Sequence, residues 1–259
     1  MEFIDQLNRT VKLLKIPQRI ISLVPSQTEL LVDLGLRNRI VGVTKFCIHP
    51  ENLKDEKTIV GGTKNVNFDK IKLLQPDIII CNKEENTKEM VQDLEKIAPV
   101  WISDIENIPD TLAVISAFGE IFKVEMEASK LISKINAEVE NHREFIQPLS
   151  YKKVLYLIWQ NPYMAAGRGT FIDCLLQENK FDNIYSKNQP RYPEVKTADF
   201  INADLILLST EPYPFKEKDV AVFRNKFNTE VKLVDGEFFS WYGSRLTEAF
   251  SYFKTLHNV

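Results

Sequence analysis

A block that occurs twice constrains this chain more than any other feature. Asn67 to Glu84 reads NFDKIKLLQPDIIICNKE, and Thr197 to Glu211 reads TADFINADLILLSTE. Each copy reads as a short amphipathic helix opened by a capping side chain, Asn67 or Thr197, with an acid two residues on, Asp69 or Asp199. Each then passes through an aspartate, Asp77 or Asp204, into an aliphatic strand that ends in a polar loop. An unbroken aliphatic run suits a strand covered on both faces, as in a parallel sheet flanked by helices. The copies lie roughly 130 residues apart, far beyond a solenoid period, which predicts two similar α/β lobes and not a repeat array. Two lobes imply a cleft, and clefts between domains take small ligands.

Alternating strands and helices surround the two copies. A strand over 19–24 is followed by Pro25 and by Ser26-Gln-Thr-Glu29, a capping-box pattern in which Ser26 and Glu29 satisfy first-turn donors. That helix runs through Leu30, Leu31 and Leu34 to Gly35, and a strand over 40–43 comes next. Residues 44–66 read as a long loop carrying Phe46, His49, Pro50 and Gly61-Gly62; loops of this length are usually functional or mobile. A strand over 77–81, a helix over 87–97 and a strand over 100–102 complete the series. From Pro109 to Ile146 the strand pattern stops, and apolar residues fall at helical spacing. The pattern fits one long helix, or two nearly continuous ones with Gly119 at a junction or kink. A second strand–loop–helix series starts at 153–159. The expected organisation is an N-terminal lobe over 1–108, a bridging helix over 109–147 and a C-terminal lobe over 148–259.

Composition narrows the function classes. With 259 residues and 44% hydrophobic content, the chain can bury one or two full cores unaided. A net charge of −3 argues against a nucleic-acid partner, because no basic stripe would neutralise phosphates. No apolar run approaches the roughly 20 residues needed to span a bilayer. The first residues show neither a basic n-region nor an apolar h-region. The compartment therefore stays open between a cytoplasmic protein and a mature chain whose leader has been removed. Cys47, Cys81 and Cys174 are odd in number and widely spaced, so they form no disulfide framework and no paired zinc spacing. Cys81 and Cys174 read as core thiols. His142 and His257 read as surface residues on helical faces. No phosphate-binding glycine loop, nucleophile elbow or paired-histidine zinc motif is present; Gly167-Arg-Gly-Thr170 entering a helix is too short to count as one.

Four stretches together carry a family resemblance. They are RIISLVPSQTEL at Arg19–Leu30, the Gly35 to Val43 segment ending in Val41-Gly-Val43, Val60-Gly-Gly62 with the first repeated block, and Phe238 to Arg245. The chain resembles the helical-backbone substrate-binding proteins of ABC importers, receptors for cobalamin, haem and ferric siderophores. Its nearest likeness is to the cobalamin-binding branch, through the PSQTE start, the Asn161-Pro162 loop and Arg191-Tyr-Pro193.

The resemblance implies two α/β lobes bridged by one long helix, with chelatase-like parallel sheets and a largely pre-formed cleft. It implies a non-enzymatic, monomeric receptor with no intrinsic cofactor, whose ligand is a corrinoid or iron chelate handed to an ABC permease. By the same resemblance Pro25, Ser26, Phe46, His49, Thr63, Trp159, Tyr163, Tyr192, Phe239, Trp241, Tyr242 and Arg245 face the ligand; the alternative reading places half of the aromatics in the core, with Phe239 and Tyr242 fitting either. Aromatic side chains suit the flat faces of such a macrocycle. Three positions depart from the cobalamin branch: Tyr192 stands at a tryptophan's place, Trp241 at an arginine's, and Thr63 where a tryptophan precedes the Asn67 helix. Asp69 and Asp199 correspond to the acids that meet permease arginines. An acid in a first helical turn also complements the helix dipole, so a purely local role stands beside the docking one.

Cys47 and His49 are the softest metal ligands in the chain; His49 reads either as a ligand to a corrinoid cobalt or haem iron or as a solvated or capping loop residue. An alternative keeps the fold and drops transport: an intracellular corrinoid- or metal-handling protein with His49 and Glu85 as metal and proton handlers.

Overall fold

The structure, a computed structural model, describes residues 1–187 and 190–257. The chain divides into two compact units: Met1–Asp104, Pro109–Asn136 and Tyr242–Thr247 form the first, and Ile105–Ile108, Ala137–Trp241 and Glu248–Val259 the second.

The first unit opens with an antiparallel hairpin, β1 (Glu2–Ile4) and β2 (Thr10–Lys12). There follow β3 (Ile20–Ser22), α1 (Pro25–Asp33), β4 (Ile40–Thr44), α2 (Leu53–Glu56), β5 (Thr58–Gly61), α3 (Phe68–Leu73), β6 (Ile78–Asn82), α4 (Lys88–Leu94) and β7 (Val100–Ser103). The five strands β5-β4-β3-β6-β7 lie side by side in that order and all run parallel. The aliphatic run of β6 is buried along its whole length, as helices on both faces require. Asn67 caps α3 as expected, its side chain accepting the Lys70 N–H at 2.9 Å. Asp77 latches β6 to β3 by accepting the N–H groups of Gln18 and Arg19 at 2.9 and 3.0 Å.

Two expectations change here. Residues 44–66 contain α2 and β5, elements too short and too exposed for periodicity to reveal. The Ser26–Glu29 capping box does not form: α1 starts two residues earlier, on Pro25, and its N-cap is Val24 with no side-chain cap.

The helical middle is two helices, α5 (Ile108–Phe122) and α6 (Glu125–Ile146). The break falls at Lys123, whose φ is +59°, and not at Gly119. Gly119 serves packing instead, since a Cβ there would sit 2.8 Å from that of Ala128 on α6.

The second unit contains β8 (Lys152–Trp159), β9 (Met164–Ala165), α7 (Phe171–Glu178), β10 (Phe181–Asn183), α8 (Thr197–Asn202), β11 (Leu205–Ser209), α9 (Glu217–Phe227), β12 (Glu230–Val234), α10 (Gly236–Ser240) and most of α11 (Leu246–Leu256). Its parallel order is β10-β8-β11-β12, with β9 antiparallel on β8. Asp204 repeats the latch of Asp77, accepting the Lys153 N–H at 2.8 Å at the start of β8. The N-cap of α8 is Lys196, one residue before the expected Thr197. His142 is not a surface residue: its ring is fully buried beside Phe250, Phe253 and Phe145, and burial pushes it down to about 4. His257 is half-buried and stacks on Phe181 at 4.9 Å. Cys81 is buried and Cys174 half-buried. Among the described residues, no helix is long and apolar enough to cross a membrane.

Candidate functional site

Parallel sheets bind ligands beyond the carboxyl ends of their strands, at the point where the strand order reverses. In the first unit that point lies between β3 and β6, and in the second between β8 and β11. Buried polar residues crown both edges: Ser22, Thr44, Asn82 and Ser103 end β3, β4, β6 and β7, while Asn183 and Ser209 end β10 and β11. Reading the last residue of each aliphatic run would have found this crown from the sequence, although not its partners.

In the first unit the crown holds loops in place. Asn82 Oδ1 accepts the N–H groups of Glu84 and Glu85 at 2.8 and 3.2 Å, and Asn86 Nδ2 donates to the Thr63 carbonyl at 2.7 Å. Gln27 Nε2 donates to Ser103 Oγ and, at 2.8 Å, to the Tyr242 hydroxyl. Glu85 is thereby set against Thr63; burial pushes its carboxyl above the usual range, and the Thr63 hydroxyl only partly offsets that. Glu29 makes a bidentate ion pair with Arg245 at 3.0 and 2.6 Å. Burial still outweighs Arg245 and raises the Glu29 carboxyl.

These contacts sort the predicted residues of this unit. Phe46 is exposed and Pro25 and His49 are half-buried, while Ser26 and Thr63 are buried beside the crown. Tyr242 is buried and Arg245 half-buried, and both engage α1, so Arg245 is not a free cation on the surface. Cys47 is not placed as a metal ligand: its thiol is fully buried, 3.1 Å from Thr28 Oγ1 and 3.3 Å from Thr44 Oγ1, and burial raises it. Among the described residues, no group of three His, Cys, Asp or Glu side chains could hold a metal. A cavity of about 280 Å³ opens beside the Asn82–Asn86 turn, lined by Arg9, Lys83, Lys88 and Glu95, and none of the predicted ligand residues lines it. Arg9 is paired there with Asp5 and Glu95, and Lys83 with Asp104.

In the second unit Trp159 ends β8 and is 42% exposed, and Tyr192 is also exposed. Two predicted residues pack inward instead, one in the core and one against it. Phe239 is 0% exposed, packed against Tyr156 and Phe253. Tyr163, half-buried, packs edge-on to Phe200 and Phe223 against the core beneath α8 and α9. An aromatic next to Pro162 reads as a loop residue, and only the fold shows that the loop turns it inward. Trp241 is buried, its indole N–H donating to Glu211 Oε2 at 3.1 Å. Thr170 caps α7 with its own hydroxyl, accepting the Asp173 N–H at 3.1 Å.

The two acids expected to dock, Asp69 and Asp199, stand in unlike surroundings. The Asp69 side chain is 91% exposed, with Lys72 at 3.8 Å as its ion-pair partner. Asp199 accepts the Lys196 N–H at 3.2 Å and the Tyr185 hydroxyl, so it is spent inside its own unit. The helical position that matches Asp69 in α8 is Ala198, the second residue of each helix.

Residues 20–221 match the periplasmic binding protein family, and the chain belongs to it. It is 26% identical, over 180 residues, to an uncharacterized ABC transporter substrate-binding lipoprotein of Bacillus subtilis, covering 66% of this chain and 57% of that one. It is 25% identical to the vitamin B12-binding protein of Vibrio campbellii, covering 71% of this chain and 67% of that one. Its fold is shared with a possible iron-binding, periplasmic solute-binding protein from Staphylococcus epidermidis, at a TM-score of 0.80 and 22% identity over 94% of this chain and 100% of the other.

Proposed function

We propose that the protein is a monomeric substrate-binding receptor that delivers a metal-bearing macrocycle or chelate to an ABC importer. A cobalamin-type corrinoid is the first expectation, with haem or a ferric siderophore next. The observation that carries this reading is family membership over residues 20–221. The names borne by relatives from Bacillus subtilis and Vibrio campbellii support it. Exposed aromatics suited to such a ligand are present in each unit, Phe46 in the first and Trp159 and Tyr192 in the second. In this reading Pro25, Ser26 and Thr63 frame the ligand, His49 approaches it, and Asp69 meets a basic group of the permease. The protein does no chemistry on the ligand.

The test is a titration with cyanocobalamin, hemin and an iron-loaded aliphatic hydroxamate, followed by ligand absorbance and tryptophan fluorescence. One of them is expected to quench saturably, and Trp159→Phe to remove much of the change. Trp101 is 1% exposed and packed edge-on to Phe118, so Trp101→Phe should leave the quench in place. No saturable binding of any of the three would defeat the proposal.

A further inference from the structure

We infer that Tyr213 positions Trp159, and that the pair forms an aromatic shelf selecting a flat macrocycle over an aliphatic chelate. This rests on the receptor reading above and goes beyond it by assigning a residue and a ligand shape. Trp159 is the last residue of β8, and Tyr213 follows the end of β11, the two neighbouring strands at which the second sheet reverses its order. The rings meet edge to face, with centroids 5.8 Å apart and planes at 73°.

Tyr213 is itself held from two sides. Its N–H donates to the Ile158 carbonyl at 3.2 Å, joining the two loops through the backbone next to Trp159. Its ring packs on Phe215 at 4.7 Å, and Phe215, 2% exposed, meets Phe223 in the core. A chain of rings thus runs from the core to a tryptophan that remains 42% exposed.

An exposed indole would ordinarily sample several rotamers and lose that freedom when a ligand stacks on it. Fixing the ring beforehand removes that cost, and the gain goes to ligands with a flat face to offer. A macrocycle has such a face; an aliphatic hydroxamate chelate wrapped around iron does not. Tyr213 is half-buried between Trp159 and the core, so its contribution acts through the indole.

The experiment compares wild type, Tyr213→Ala and Tyr213→Phe with hemin, cyanocobalamin and the iron-loaded aliphatic hydroxamate, together with near-ultraviolet circular dichroism. Tyr213→Ala is expected to weaken the macrocycle that wild type binds by about fivefold, within the range of one edge-to-face pair. It should leave any affinity for the hydroxamate unchanged and shrink the tryptophan dichroism band. Tyr213→Phe keeps the ring edge and should restore both signals. An unchanged affinity in Tyr213→Ala, an equal loss for every ligand, or failure of Tyr213→Phe to rescue would overturn the inference. So would wild type binding only the hydroxamate. Should wild type bind none of the three, the receptor reading fails with the shelf's selectivity, while the dichroism band still decides whether Tyr213 orients Trp159.

Discussion

In α3 the capping oxygen comes from Asn67, ahead of the helix; in α8 it comes from Asp199, three residues inside it. The rest of the two copies matches closely. Ile71 and Phe200, each the fourth helical residue, enter their respective cores, and Asp77 and Asp204 latch each second strand to the first. A helix start leaves four N–H groups without intrahelical partners, and a carboxylate that turns back to accept from one of them is no longer a fully exposed charge. Where Asn67 does that work, Asp69 is left to solvent. Where no such residue precedes the helix, the carboxylate turns back, takes the Tyr185 hydroxyl as well, and leaves Ala198 at the surface position. Equal-looking acids in a sequence repeat therefore differ in availability because of a neighbour.

The sharpest way to break this comparison is through the matched core residues. Phe200 stacks on Phe227 at 4.3 Å and also meets Tyr163 and Phe223. Phe200→Ala is expected to cost about 4 kcal/mol and Ile71→Ala about 3 kcal/mol in urea unfolding, as large-to-small core changes do. Equal small losses, near 1 kcal/mol, would mean the helices are not equivalent anchors.

The two units should also respond oppositely to acid. His142 is buried at about 4, below the ordinary histidine value, so the unfolded chain binds its proton first as pH falls. Its contribution to stability is complete above the unfolded value and is lost as pH drops from about 6.5 towards 4, a loss of about 2–3 kcal/mol. His257, pushed by burial to about 4 as well, acts in the same direction. In the first unit Glu29 and Glu85 have raised carboxyls, so protonation favours the folded form there and falling pH adds stability. Hydrogen exchange between pH 7 and 4.5 should lose protection in β8 and β11 before β3 and β6, and His142→Phe should flatten that difference. Simultaneous loss in both sheets would contradict it.

The smallest effects separate the two acids. Asp199→Ala should destabilise by about 1 kcal/mol, the usual worth of a cap. Asp69→Ala should move the melting temperature within error, yet lower stimulation of a partner transporter if Asp69 docks there. Reversed outcomes, with Asp199→Ala silent in stability and impaired in transport, would restore the second acid as a docking group.

The alternation of aliphatic runs with amphipathic stretches, the repeated block and its two aspartates sufficed to read two parallel α/β sheets. Those signals are local: burial on both faces demands an unbroken apolar run, and a helix start demands a nearby acceptor. The short β5, with two of its four residues exposed, carried no such signal. The site was legible only in part. Trp159 and Phe46 are exposed, whereas Phe239, which carries the same aromatic signature, lies in the core and Tyr163 packs half-buried against it. Cys47 looked like a loop thiol until Thr28 and Thr44 enclosed it. Arg245 looked like a pocket cation until it met Glu29, 216 residues away in the chain. Sequence alone determined the buried aliphatic strands and the amphipathic helices, because periodicity and capping act over a few residues. Which charge pairs, which ring is buried and which acid stays exposed were decided by the tertiary structure, because strand order brings the partners together across the chain.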